Sequence, residues 1–140
     1  MEADRDKEKQ EHARGAYLIA CADETKLLRA AEAARQEAAR ARRATEDLRW
    51  AYIHTFPRGT PLAVVQSLPW RHLAWSDTEE LRAGAGHSGE DIARELCALA
   101  CILGTTTVVK FNGTPLRALP GAPYTDVLAE WYRARQAAHP

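Results

Sequence analysis

Small and apolar residues recur in the first part of the chain at alternating steps of four and three: Leu27, Ala31, Ala34, Ala38, Ala41, Thr45, Leu48 and Tyr52. The phase is kept without a slip over more than three heptads, and it predicts a helix with a coiled-coil seam. It runs back through Glu24, Ala20, Tyr17 and Ala13, so one helix from near the N-terminus to about Ile53 is the economical expectation, with Gly15 its weak point. Alanine gives each seam position little area to bury, at about 25 cal/mol per Å². It does let two backbones approach closely and regain dispersion contacts. Such a helix is stable only when packed. The seam outlasts what the rest of the chain can cover, which favours the same helix of a second subunit over the body of the same chain. Leu27, Ala31, Ala34, Ala38, Ala41, Leu48 and Tyr52 are therefore expected at a homo-oligomer interface.

Pattern and punctuation change after residue 54. Pro57 and Gly59 turn the chain out of the helix. In Thr60-Pro61-Leu62-Ala63-Val64-Val65-Gln66-Ser67-Leu68, a Thr cap before Pro argues for a short helix, with a strand as the alternative. Trp70 to Trp75 reads as a linker, and Ser76-Asp77-Thr78-Glu79 as a capping box opening a helix of about two turns. Ile92, Leu96, Leu99 and Leu103 then share one face of a core helix over residues 90–103, capped by Ser88 and ended by Gly104. Asn112-Gly113 between Val108-Val109-Lys110-Phe111 and Thr114-Pro115-Leu116 is a strong hairpin signal. A lone two-stranded hairpin is marginal in water, so its edge is expected to find a further strand or a second subunit. A last helix runs from Tyr124 to about Gln136, with Val127, Leu128 and Trp131 inward. The fold class is thus α+β, divided into a helical oligomerisation arm, residues 1–54, and a compact body, residues 55–140.

Charge and cysteine content narrow the function. Lys+Arg and Asp+Glu number 19 each, and residues 1–50 hold eleven of each sign. A nucleic-acid binder needs a basic excess to displace counterions, so general nucleic-acid binding is not expected. The odd cysteines, Cys21, Cys97 and Cys101, fit a reducing compartment. The charged start MEADRDKEKQEH does not read as a signal peptide, and no apolar run reaches the ~18 residues of a membrane span. A cytoplasmic, membrane-free protein is expected.

Candidate chemistry is sparse. Gly84-Ala85-Gly86-His87-Ser88-Gly89 matches G-x-G-x-x-G, but with a helix expected before it and no room for a doubly wound sheet it fails as a dinucleotide fingerprint. A more modest role remains open, in which His87 and Ser88 hold an anion near a helix N-terminus. Cys97 and Cys101 read as small buried residues; a buried thiol has its pKa raised, which argues against a nucleophile, and no metal-ligand spacing is present. Glu79-Glu80 and Glu90-Asp91 fit first-turn positions of helices. Arg35, Arg42 and Arg49 read as members of helix-surface ion pairs with Glu32 and Glu46. Trp131, Tyr132, Arg133 and Arg135 combine aromatic faces with guanidinium groups, and with Lys110 and Asn112 they are expected to rim a pocket for an anionic, base-bearing ligand. No acid, base and nucleophile set is present, so an enzyme is not expected, and neither is a cofactor or a metal.

The run ARELCALACILGTTTVVKFNGTPLRALPG, with DVLAEWYRAR after it, resembles the helix, hairpin and helix ending of small phage-encoded accessory proteins. That group includes anti-CRISPR proteins and counter-defence sponges such as the Thoeris anti-defence sponges. The resemblance implies a non-enzymatic protein that sequesters a cyclic-nucleotide signal, or an inhibitor or adaptor that binds a protein through the long helix or the hairpin edge.

Overall fold

The computed structural model describes residues 1–138; the last two residues of the expected second domain lie outside them. The heptad pattern forms one helix, α1 (Glu2–Ile53), followed by α2 (Leu62–Gln66), β1 (Leu73–Trp75), β2 (Leu81–Ala83), α3 (Gly89–Leu103), β3 (Thr107–Phe111), β4 (Thr114–Ala118) and α4 (Tyr124–Ala138). The α+β class holds. Among the described residues no helix is long and apolar enough to cross a membrane. Backbone contacts divide the chain into two units, Met1–Asp47 and a second that begins at Leu48 and takes in the last residues of α1.

The first unit is helix throughout. Thr25 and Thr45 donate their hydroxyls back to the carbonyls of Cys21 and Ala41, and Arg35 pairs with Glu32 at 2.8 Å. Leu27 is 72% exposed, and Tyr17, Leu18, Ile19 and Leu28 are also open to solvent.

In the second unit α3 is the centre. Ile92, Leu96 and Leu99 are fully buried, as their spacing requires, together with Ala93 and Ala100. The Asp91 N–H donates to Ser88 Oγ, and Gly104 ends the helix at φ 70. The left-handed backbone at Gly104 favours glycine, and a Cβ there would stand 2.7 Å from Arg58 Nε and displace that side chain. In the β3–β4 hairpin Val109, Thr114, Leu116 and Ala118 point inward. Asn112 (φ 49) and Gly113 (φ 78) form the turn. Trp131 of α4 pins it from below: its indole N–H is shared between the carbonyls of Phe111 and Thr114, each at 3.2 Å.

Several expectations are corrected. Residues 76–79 start no helix; they turn β1 into β2, giving a second hairpin with Trp75 paired to Leu81. Ser76 Oγ accepts the amide of Glu80, not that of Glu79, and Glu79 lies at φ 60, which breaks any helical path. The same four residues serve a helix cap or this turn, and strands of three residues are too short for periodicity to separate the two. A strand, not a helix, therefore precedes the Gly84–Gly89 loop, though it belongs to a two-stranded antiparallel sheet. Leu62–Gln66 is helical, but its N-cap is Pro61; the Thr60 hydroxyl donates to the carbonyl of Pro57 instead. Cys101 is exposed, not buried. The faces of the β3–β4 hairpin are covered by α3 and α4, and its sheet stays two-stranded, with β2 approaching β3 but sharing no ladder.

One polar cluster holds these parts in register. Glu95, on the apolar face of α3, is fully buried, and Arg49 donates to its Oε2 at 2.6 Å. The same carboxylate accepts the backbone N–H groups of Arg71 (3.0 Å), His72 (2.6 Å) and Leu73 (3.0 Å), and Arg49 also donates to the carbonyl of Pro69. Arg49 thus departs from the surface role expected of it. Breaking a buried pair by removing one partner costs about 3–5 kcal/mol. Glu95→Gln should lower stability by about that amount in urea unfolding. An Arg49→Met, Glu95→Leu double variant should not recover it, because the amides of residues 71–73 would still lack their acceptor.

Candidate functional site

The chain that leaves α1 folds back on α3 and borders an open cavity of about 680 Å³, within the range that holds a small molecule. Pro57 and Gly59 reverse the chain, and the Gly59 N–H donates to the carbonyl of Ile102 at 2.8 Å. Trp50 and His54 at the end of α1, and Phe56 and Arg58 in the turn, form one wall. Arg94, Cys97, Ala98, Cys101 and Ile102, spaced along one face of α3, form the floor, and Tyr124 at the start of α4 closes the far side.

Apolar and cationic surfaces alternate in this wall. Trp50 and His54 are four residues apart on one helix face and stack with ring centroids 5.6 Å apart and 24° between planes. Arg58 lies across the C-terminal end of α3 and donates to the carbonyl of Gly104 at 3.2 Å, where the helix dipole favours a cation. It has no ion-pair partner among the described residues, so most of its five N–H donors are uncommitted. Arg94 donates to Glu90 at 2.8 Å and to the Tyr124 hydroxyl at 3.1 Å, with its guanidinium 4.6 Å from the Tyr124 ring centre. The Tyr124 hydrogen bond, ahead of the nearby carboxylates, raises the Arg94 pKa further, so it is a permanent cation.

Cys97 does not add a nucleophile. Burial, with a smaller contribution from Cys101, pushes the Cys97 thiol up to about 11. Cys101 Sγ accepts the N–H of Gly121 at 3.2 Å.

The residues singled out from the sequence are scattered. Trp131 is 3% exposed and its N–H is committed to the hairpin, so it offers no stacking face to a ligand; the Arg135 guanidinium lies 5.2 Å from its ring centre. Arg133, Lys110 and Asn112 are exposed, and Lys110 borders a shallow cleft with Glu80 and Arg82. Ser88 both accepts from Asp91 N and donates to Asp91 Oδ2, which uses its hydroxyl in capping. His87 faces His72, with the two Nδ1 atoms 2.9 Å apart. None of these seven residues lines the large cavity. Sequence reasoning missed Trp50, His54, Arg58, Arg94 and Tyr124. The signal available was the aromatic pair at i and i+4 running into Pro57-Arg58-Gly59, which marks a helix end dressed with rings and a cation.

No family model, curated protein or solved structure matches the chain.

The raised Cys97 pKa has a direct chemical readout. At pH 7.5 iodoacetamide should label the exposed Cys101 well before Cys97, and the Cys97 rate should climb only as pH approaches about 11, as followed by peptide mass spectrometry. Equal labelling at neutral pH would contradict the protected thiol.

Proposed function

We propose that the protein is a homo-oligomeric, non-enzymatic binding protein that sequesters a small anion bearing an aromatic ring, of the nucleotide class. The observation that carries the reading is the cavity between Trp50, His54, Arg58, Arg94 and Tyr124, where ring faces and guanidinium groups stand side by side. Flat apolar surfaces take up a base by stacking, and guanidinium groups donate charge-assisted hydrogen bonds to phosphate oxygens. With Cys97 held as a thiol, the wall serves for holding a ligand and not for turning it over. Taken with the resemblance of residues 93–135 to small phage accessory proteins, the reading extends to a cyclic-nucleotide immune signal as ligand and counter-defence as the role.

Assembly follows from α1. Leu27 and Leu48 are 72% and 71% exposed on the seam, and a helix of this length with its seam open is stable only against a partner. The balance of charge over residues 1–50 suits a second copy of the same helix. Exposed apolar side chains on α1 support a second reading, an inhibitor or adaptor that lays α1 on a larger protein, with Tyr17, Leu18, Ile19 and Leu28 as candidate anchors.

Calorimetric titration with cyclic and linear nucleotides should give micromolar or tighter binding. Arg58→Ala should weaken it about tenfold or more, the loss of a hydrogen bond to a charged group, while Arg133→Ala leaves it unchanged. Affinities no better than high micromolar throughout would overturn the ligand reading. For assembly, sedimentation should find an oligomer, and Ala38→Glu, which puts a charge on the seam, should shift it towards a single chain. A wild-type protein that sediments as one chain, and binds a protein target through α1, would favour the second reading.

A further inference from the structure

We propose that His72 and His87 form a binding site for a divalent first-row transition cation of the nickel and copper type, separate from the cavity. Their Nδ1 atoms stand 2.9 Å apart, with ring centroids at 4.8 Å and planes at 82°. Two imidazole nitrogens each ~2.05 Å from one metal are separated by about 2.9 Å when they subtend a right angle and by about 3.4 Å in a tetrahedron. In the free protein this separation is that of a hydrogen bond between the two rings; it also lies close to the spacing of adjacent ligands in a square-planar or octahedral centre, so a nickel- or copper-type cation replaces the shared proton with little ring movement.

Both rings are held from the backbone. The His72 N–H donates to Glu95, and the His72 carbonyl accepts the N–H of Gly84 at 2.8 Å, tying the two histidine segments together. A Cβ at Gly84 would come within 2.6 Å of the His87 ring, so the loop carries glycine where the imidazole lies over it. Preorganisation of this kind lowers what ordering the ligands would otherwise cost. Among the described residues no cluster of three ligating side chains exists, so this site supplies two protein ligands and leaves the other positions to water or to a small anion.

Without a cation, one ring donates its Nδ1–H to the Nδ1 lone pair of the other. Cation binding needs both lone pairs. The donor ring moves its proton from Nδ1 to Nε2, which frees both Nδ1 lone pairs for the cation.

The test is titration of the untagged full-length chain with Ni²⁺. One equivalent should bind in the micromolar range. His72→Gln and His87→Gln should each weaken binding at least tenfold, and His12→Gln, on the exposed start of α1, should not. In the wild-type protein, paramagnetic Cu²⁺ should broaden the ring-proton NMR signals of His72 and His87 together, a readout that does not depend on the variants folding. Absence of binding tighter than high micromolar, or broadening confined to other histidines, would overturn the proposal.

Discussion

A carboxylate deep in an apolar helix face is the constraint that orders the second unit. Glu95 cannot be buried as a charge without partners, and the fold surrounds it with the Arg49 guanidinium and three successive backbone N–H groups. Meeting that demand fixes the end of α1 against α3 and fixes the chain entering β1 beside both. Specificity is gained along with stability, because only one register of residues 71–73 offers its amides to the same two oxygens. The candidate sites lie on segments that this cluster positions. Trp50 and His54 follow Arg49 on α1, and His72 is one of the three residues whose amide Glu95 holds.

The large cavity is built on what the cluster leaves over. One face of α3 carries Ile92, Leu96 and Leu99 into the core, while Arg94, Cys97 and Cys101 line a second face. The turn after α1 lays Phe56 and Arg58 over that second face, and the left-handed Gly104 makes room for the guanidinium. The result is a wall in which Arg94 is anchored at Tyr124, while Arg58 touches a helix end through one hydrogen bond and keeps its other donors for a ligand.

How much of this was legible depends on the length of the signal. The α1 helix, the α3 face and the Asn112-Gly113 turn are long or chemically distinctive, and each stands in the structure as its spacing requires. The β1–β2 hairpin is three residues a strand, and its Ser76 turn shares a signature with a helix cap, so only the φ of Glu79 separates them. Glu95 was legible in part: three residues after Ile92 and four before Leu99, it sits on the buried face, yet its partners come from residues 49 and 71–73. The candidate site suffered most, because Trp131 and Arg58 carry equal promise as residue types. Tertiary packing alone places one under the hairpin and the other on a cavity.

The indole N–H resonances give the most direct test of where a ligand sits, since the four tryptophans occupy distinct places. On adding a nucleotide, the account requires the Trp50 indole signal to shift. The Trp131 signal, committed to the carbonyls of Phe111 and Thr114, should stay in place. A shift at Trp131 with Trp50 unmoved would put the ligand beneath the hairpin and contradict the account.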